Sequence, residues 1–385
     1  MSTTARSHPV VRQLHHDVND RPHVVVWEVT RACQLACRHC RADAQPLPHP
    51  RQLTTAQGKD LLDDIAASGM PRPMVILSGG DAFERPDLAE LIAHGTSRGL
   101  AMSLSPSVTP LLTDAKLAEV REAGVKAFSL SLDGATAATH DAFRGFPGTF
   151  DATLEAATLV RKHGFRFHVN TTITAGNVHE MPALLETVMG MGAHMWYLLF
   201  LVPMGRGTDM QPLDPDAMED VLNWLHDVSD RVAVKVTEAP AYRRLALQRE
   251  AARVDRTPMP TTGELHAQLT ADTLARLGEC TDRRVPRPPI GVDAGRGFAF
   301  IDHIGEVFPS GFLPLPCGSV HESPFSEIYR TSPTMQRLRR TAEFTGKCGT
   351  CQYNAICGGS RARTHAMTGD AFSSDPSCPF EPSLA

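Results

Sequence analysis

Short apolar runs alternate with amphipathic segments along the first two thirds of the chain, beginning near residue 23. Six of these runs are predicted strands: HVVVWEV, PMVILSGG, AMSLSPS, KAFSLSLDG, RFHVNTTIT and MWYLLFLVP. Strand patterns that alternate with helical patterns are typical of repeated βα units around a parallel sheet. About six units are fewer than the eight that close a complete barrel. The pattern therefore predicts the α/β class and an open, partial (β/α)6 TIM-like barrel.

The amphipathic segments predict the helices between these strands. In LTTAQGKDLLDDIAASG, the side chains of Leu61, Leu62 and Ile65 share one face, and Gly69 marks the end of the helix. Thr113 is the predicted N-cap of another helix, which ends near Gly124. Further helices are predicted near residues 86–94, 151–163, 179–189 and 215–229.

The alternation ends near residue 236 and gives way to a helical stretch and a connector rich in proline and arginine, TDRRVPRPPIGVDAGRG. A predicted hairpin, GFAFIDHIGEVFPSG, a short helix and a cysteine-rich end follow. We therefore expect four segments. They are an N-terminal tail at 1–20, the barrel at 21–236, a helical bridging region and connector at 237–290, and a small C-terminal domain at 291–385.

Composition narrows the classes of partner and compartment. The formal net charge is -5 and no long basic run is present, which gives no footprint for nucleic acid or an anionic membrane. The N-terminus lacks the apolar core of a signal peptide, and the run YLLFLV is too short to span a bilayer. These features predict a soluble, cytoplasmic protein. In that reducing compartment, its nine cysteines are expected to be ligands or buried thiols.

Three of the cysteines, Cys33, Cys37 and Cys40, lie in VTRACQLACRHCRA, directly after the first strand. Parallel α/β folds place their chemistry at this end of the sheet. Three thiolates can hold three corners of a [4Fe-4S] cube and leave one iron open for a substrate-like ligand. The alternative is a structural zinc site completed by His39. Its geometry is poor because His39 is adjacent to Cys40.

The C-x3-C-x2-C spacing, with the ring of His39 before the last cysteine, resembles the signature of the radical S-adenosylmethionine (SAM) enzymes. The resemblance implies that the three cysteines bind the catalytic [4Fe-4S] cluster, whose open iron binds the amino and carboxylate groups of SAM. It further implies that SAM is cleaved to a 5'-deoxyadenosyl radical, which abstracts hydrogen from a small-molecule or peptide substrate. A reducing electron donor such as flavodoxin or ferredoxin is implied as a partner.

Other strand-end motifs stand where this family binds SAM. SGGDAF corresponds to the family's Gly-Gly-Glu-Pro motif, with Asp81 for glutamate and Ala82 for proline. SLSLDG, HDAFRG and VNTTI add further polar groups, and LVPMGRG would line the adenosine. Each motif alone is equally compatible with an ordinary polar position in a barrel. The resemblance implies cofactor-binding roles for His39, Gly79, Gly80, Asp81, Ser131, Arg144 and Asn170.

A second cysteine set ends the chain: Cys348, Cys351, Cys357 and, after twenty residues, Cys378. Its ligand chemistry fits either a structural zinc or a closed [4Fe-4S] cluster. Together with the N-terminal triplet, the tail resembles the SPASM/Twitch extension of some radical SAM enzymes, which in its full form has seven cysteines and two auxiliary clusters. Where the first of these clusters would need cysteines, this chain has Asp293, Ser310 and Ser360. We therefore predict one auxiliary [4Fe-4S] cluster, held by the quartet, with Cys280 and Cys317 outside it.

The stretches WEVTRACQLACRHCRA and GEVFPSGFLP resemble the branch of SAM-dependent heme synthases and heme d1 maturation enzymes. That resemblance implies oxidative modification of a tetrapyrrole propionate by an oxidoreductase or lyase. Arg283, Arg284 and Arg287 of the connector would be its cationic anchors, although connector arginines are usually solvated. The first alternative is a maturase of a peptide or other natural product. The second is a non-enzymatic iron-sulfur redox protein, which would need no SAM pocket.

Overall fold

The structure is a computed structural model and describes residues 10–382. The predicted N-terminal tail therefore lies outside the described residues at positions 1–9. Within the described range, all strands belong to one sheet. The strands are β1 Val24–Thr30, β2 Met74–Gly79, β3 Ala101–Leu104, β4 Ala127–Ser131, β5 Arg166–Ile173, β6 Met195–Phe200, β7 Val234–Thr237, β8 Asp293–Ala294, β9 Gly297–Ile301, β10 Glu306–Phe308 and β11 Gly318–Ser319.

The sheet order is β11-β10-β9-β1-β2-β3-β4-β5-β6-β7, with β8 beside β9. Neighbouring strands from β1 to β7 are parallel, so the predicted α/β fold with a partial barrel is confirmed. The sequence pattern did not predict β7. This strand has four residues, two of them polar, and is too short to show a period.

Helices follow the barrel strands and continue into the C-terminal region. They are α1 Thr55–Ala67, α2 Leu88–Ser97, α3 Asp114–Glu122, α4 Ala137–Arg144, α5 Thr149–Lys162, α6 Met181–Gly190, α7 Pro215–Asp227, α8 Ala241–Asp255, α9 Glu264–Leu277, α10 Phe325–Thr331, α11 Pro333–Arg339, α12 Gly346–Thr350 and α13 Arg361–Thr368. The predicted Thr113 cap is confirmed, because its side chain accepts a hydrogen bond from the Lys116 backbone N–H. No helix in the described part of the chain is long and apolar enough to cross a membrane.

The core lies between the outer face of the strands and the helices. Trp27, Phe128, Phe167 and Trp196 point outward from the strands and are fully buried. The inward-facing side chains on the same strands are smaller or polar, including Ser131 on β4. The barrel interior is therefore free to receive other groups.

The predicted C-terminal hairpin is confirmed as β9 and β10, which pair antiparallel. Strand β9 also pairs in parallel with β1, through Val24↔Phe298 to Trp27↔Ile301. The strand that leads into the N-terminal cysteines therefore lies between the barrel on one side and the C-terminal segment on the other.

Candidate functional site

The carboxyl ends of the barrel strands surround a cavity of about 210 Å³. Parallel strands bring residues that are distant in sequence to the same sheet edge. The structure therefore collects most of the predicted site residues in one place. The cavity is lined by Cys33, Cys37, His39, Cys40, Gly79, Gly80, Ser131, Arg144 and Asn170, among other residues.

Backbone N–H groups point at two of the three cysteine sulfurs in this cavity. The N–H of Leu35 donates to Cys33 Sγ at 3.4 Å, and that of Ala44 donates to Cys40 Sγ at 3.5 Å. Burial raises the pKa of Cys33, so a free thiol is favoured there in the absence of a cation. A positive centre among the sulfurs would reverse that preference, and the N–H donors suit an anionic sulfur.

The loop after β6 holds the cysteine loop in place. Arg206 donates from Nε to the Cys37 carbonyl at 2.9 Å and from its backbone N–H to the Cys40 carbonyl at 3.0 Å. Gly205 has φ 54°, and a Cβ there would lie 2.5 Å from the Cys40 carbonyl oxygen. The sequence motif LVPMGRG identified this loop, but its supporting role depends on contacts that only the fold creates.

Helix α4, which the sequence pattern did not predict, supports the same loop from the other side. The N–H of Arg38 donates to the Phe143 carbonyl at 2.9 Å, and the rings of His39 and Phe143 have centroids 4.6 Å apart. Burial lowers the pKa of His39 to about 4, which keeps the ring neutral. Its buried Nδ1 has no hydrogen-bond partner among the described residues.

Gly79 and Gly80 make the closest backbone approach at the site. A Cβ at Gly79 would lie 2.3 Å from the Thr30 carbonyl oxygen, and one at Gly80 would lie 2.3 Å from that of Ala32. The N–H of Gly80 donates to the Thr30 carbonyl at 2.9 Å. Both glycines are therefore required by the contact between the end of β2 and the start of the cysteine loop, whatever else binds there.

The Asp81 side chain lies below this turn and is not among the residues that line the cavity. It accepts hydrogen bonds from Thr109 Oγ1 at 2.6 Å and from the Phe83 N–H at 3.1 Å. Burial raises its pKa to about 6. The structure thus places the Asp81 carboxylate against Thr109 and the Phe83 N–H, outside the residues that line the cavity.

Arg144 forms a buried ion pair with Asp133 on the wall of the cavity. Its Nη1 also lies 3.8 Å from Cys37 Sγ. Asp133 accepts a second hydrogen bond from the Thr172 N–H at 2.7 Å. Burial acts to raise the pKa of Asp133, but the Arg144 charge holds it below its ordinary value. The site therefore contains a fixed, charged pair beside one cysteine. The sequence places Asp133 at the mouth of the barrel as well, but only Arg144 was assigned a cofactor-binding role.

Ser131 and Asn170 are register partners on β4 and β5, so their side chains share the inner face of the sheet. Asn170 donates from Nδ2 to Ser105 Oγ at 3.5 Å. Its Oδ1 is buried without a hydrogen-bond partner among the described residues. A buried acceptor of this kind is costly unless a ligand satisfies it, for example through an amino or hydroxyl group.

Glu28 connects the cysteine loop to the C-terminal hairpin, a link with no signal in the sequence pattern. Its carboxylate accepts from Arg41 at 2.7 Å and lies 2.8 Å from His303 Nδ1. The Arg41 guanidinium is 4.4 Å from the centroid of the Phe300 ring. Burial acts to raise the pKa of Glu28, but the Arg41 charge keeps it below the ordinary value. Arg41, which follows Cys40 directly, is therefore held from both sides.

Two sulfurs of the C-terminal cysteine quartet also accept hydrogen bonds. Cys348 Sγ accepts from the Asp375 N–H at 3.3 Å and from Arg361 at 3.4 Å. The Tyr353 N–H donates to Cys351 Sγ at 3.4 Å. Within residues 10–382, no group of three or more His, Cys, Asp or Glu side chains is arranged so that it could hold a single metal ion. A [4Fe-4S] cube binds each thiolate to a different iron and so spaces its ligands more widely than a single ion does.

The three non-cysteine positions of the C-terminal region lie around Glu238, whose backbone has φ 58°. Ser360 Oγ donates to its carboxylate at 2.6 Å and Ser310 Oγ does so at 3.5 Å. Burial raises the pKa of Glu238, and the charge of Asp293 acts in the same direction. Asp293 itself is paired with Arg243 at 2.6 Å. A hydrogen-bonded polar cluster therefore occupies the space between these three positions.

Comparison with known proteins identifies relatives over most of the chain. Residues 27–188 match the model of the radical SAM superfamily. An AdoMet-dependent heme synthase from Nitratidesulfovibrio vulgaris is 38% identical over 363 residues, which cover 93% of this chain and 92% of that protein. A pre-heme d1 synthase from Dinoroseobacter shibae is 31% identical over 359 residues, with 92% and 85% coverage.

The fold also matches a solved structure with its ligand. Streptococcus suis SuiB bound to S-adenosylmethionine superposes with a TM-score of 0.67, over 94% of this chain and 78% of that one, at 12% identity. At this level of identity the match shows a common fold.

Proposed function

The chain belongs to the radical SAM superfamily, and on that premise we propose that it oxidatively modifies a propionate side chain of a tetrapyrrole. Membership implies a [4Fe-4S] cluster and SAM, as the resemblance of the cysteine motif to that family implied. The observation that carries the substrate class is the 38% identity to a heme synthase over 93% of the chain. The cavity supports the reaction class, since the three motif sulfurs, an unpartnered acceptor and a charged pair share it.

When bound, the cluster supplies an open iron for SAM and the electron that cleaves it. The other roles belong to residues of this chain. Cys33, Cys37 and Cys40 hold the cluster. Asn170 Oδ1 accepts a hydrogen bond from SAM or substrate, and Arg144 stabilises anionic charge beside Cys37.

The proposed reaction must release one further electron from the substrate. Removal of one hydrogen atom from a propionate, followed by loss of CO2, leaves a vinyl group only if one electron also leaves. A one-electron acceptor is therefore required. A second cluster in the same chain would suit that task, while a reduced flavodoxin or ferredoxin would supply the electron for SAM cleavage.

Deuterium is expected to move from a propionate-labelled tetrapyrrole into 5'-deoxyadenosine. The anaerobic, reduced holoenzyme would be mixed with SAM and the labelled substrate, and the nucleoside would be analysed by mass spectrometry. The unlabelled tetrapyrrole is the matched control. Formation of 5'-deoxyadenosine with deuterium only from a peptide would favour a maturase. Intact clusters without any 5'-deoxyadenosine would favour a redox protein.

We further propose one auxiliary cluster, held by Cys348, Cys351, Cys357 and Cys378. The sulfur-directed donors at Cys348 and Cys351 support it. The polar side chains around Glu238 support a single auxiliary iron-sulfur cluster rather than two. Ser360 and Ser310 donate hydrogen bonds to Glu238, and Asp293 is paired with Arg243. These three residues stand where a further cluster would need cysteines, and they supply no thiolate.

Iron analysis tests that number. The reconstituted protein is expected to hold about eight iron atoms per chain, four for each cluster. Cys378→Ala is expected to lower this to about four and to leave SAM cleavage measurable. Cys280→Ala is the matched control and should keep the full iron content. Stoichiometric zinc, or about twelve iron atoms in the wild-type protein, would contradict the proposal.

A further inference from the structure

One cationic side chain, Lys235, lies inside the barrel, one inward-facing step below the cavity. His168 precedes Asn170 by two residues on β5, and Tyr197 precedes Leu199 by two on β6. Lys235 on β7 is the register partner of Tyr197, and its Nζ is 4.9 Å from the centroid of the Tyr197 ring. The His168 and Tyr197 rings are 5.0 Å apart. Lys235 is therefore inside the barrel, on the side away from the cysteine loop.

Two arginines from outside the barrel strands approach the same region. The backbone N–H of Arg12 donates to the Pro289 carbonyl at 2.8 Å, which places the N-terminal segment beside the connector. Burial lowers the pKa of Lys235 to about 8, with further contributions from the charges of Arg287 and Arg12. Arg287 is exposed, whereas Arg12 and Lys235 are half-buried. We call Arg12, Lys235 and Arg287 the lower cations.

The lower cations have no carboxylate partner within the described residues. None of the three takes part in an ion pair there. Several buried arginines elsewhere are paired with a carboxylate, as Arg144 is with Asp133 and Arg243 is with Asp293. The Lys235 charge, which lies inside the barrel without an anion among the described residues, raises the free energy of the folded protein. A ligand that supplies the anion would remove that cost.

The other connector arginines do not share this position. Arg283 lies 3.6 Å from the Asp230 carboxylate at the surface, and the Arg284 N–H donates to the Asp230 carbonyl at 2.8 Å. Of the three arginines that the sequence suggested as anchors, Arg287 is the one whose charge helps to lower the pKa of the interior lysine.

We propose that the lower cations form a binding subsite for a substrate carboxylate other than the one that reacts. This inference rests on the proposed function, because it takes a tetrapyrrole with several propionates as the substrate. Two residues along a strand span about 7 Å. A rigid macrocycle with carboxylates around its edge can therefore place one propionate at the cavity and another at the lower cations. The subsite fixes which propionate meets the radical.

Binding of a tetracarboxylate porphyrin tests the subsite directly. Iron coproporphyrin III and its tetramethyl ester would be titrated into the anaerobic holoenzyme and followed by visible absorbance. The acid is expected to bind the wild-type protein more tightly than the ester. Lys235→Met is expected to weaken binding of the acid by about tenfold or more and to leave binding of the ester unchanged. Lys59→Met, which removes an exposed cation paired with Glu90, is the matched control.

The stability of the variant separates a binding role from a structural one. Lys235→Met removes an unpaired, partly buried charge, so its thermal midpoint is expected to equal or exceed that of the wild-type protein. Lys235→Arg is expected to restore binding of the acid. Unchanged affinity for the acid in a folded Lys235→Met protein would overturn the subsite and leave the proposed function intact. A wild-type protein that binds neither porphyrin would instead count against the proposed function.

Discussion

Replacing Cys37 by alanine is expected to reduce 5'-deoxyadenosine formation from SAM to background. Its sulfur is one of three that line the cavity, and the Arg144 guanidinium lies 3.8 Å away. A cube that has lost one of three thiolates is not held in the orientation that leaves a single iron open. The measurement is the yield of 5'-deoxyadenosine from the reduced, reconstituted variant.

The same variant should keep its C-terminal cluster. About four iron atoms per chain and the electron paramagnetic resonance signal of one cluster are expected to remain. Cys280→Ala provides the control for a cysteine outside both sets. SAM cleavage at the wild-type rate by Cys37→Ala would show that the triplet does not hold the catalytic cluster. Loss of all iron would show that the two sites are not independent.

Arg144→Met is expected to destabilise the protein by about 3–5 kcal/mol and to weaken SAM binding strongly. The substitution leaves the Asp133 carboxylate buried without its partner, beside anionic sulfur. Since the Arg144 charge holds the pKa of Asp133 down, the lone carboxylate should take up a proton at higher pH. The loss of stability should therefore be smaller at low pH than at neutral pH. Denaturant unfolding at two pH values, with SAM-binding titrations, measures both effects.

A double variant distinguishes the cost of an unpaired charge from the role of the guanidinium. Asp133→Asn with Arg144→Met removes both charges and is expected to recover most of the lost stability without recovering SAM binding. Arg98→Met, which removes an exposed arginine paired with Asp63, should cost at most about 1 kcal/mol. If Arg144→Met unfolds at the same denaturant concentration as the wild-type protein, the ion pair between Arg144 and Asp133 does not stabilise the fold.

Helices and strands whose apolar residues recur with a clear period could be predicted from sequence, and those without such a period could not. Strand β5, with its alternating buried and half-buried residues, and helix α1, with its capping box at Thr54, both carry clear local signals. Helix α4 has eight residues and few large apolar side chains, so its pattern resembles a loop. Its position against the cysteine loop, through Phe143 and Gly145, arises from tertiary packing.

Some features of the candidate site could likewise be predicted from sequence, and others could not. The spacing of Cys33, Cys37 and Cys40 is a local property, and a short loop after a parallel strand must place such residues at the carboxyl edge of the sheet. Asp81 is different, because its cofactor-binding role was implied by the resemblance of the SGGDAF motif, and only the fold shows that its carboxylate accepts a hydrogen bond from Thr109.

The sequence by itself determined the barrel class and the two cysteine sets, because these depend on short-range spacing and strand order. The radical SAM chemistry followed from the resemblance of its motifs to a known family. Only the tertiary structure decided which charges meet. It pairs Asp133 with Arg144, connects Glu28 to His303 and surrounds Glu238 with the two serines. It also leaves Lys235 without a carboxylate partner among residues 10–382. Electrostatic energy depends on distance and burial, and in a folded chain neither quantity follows from separation along the sequence.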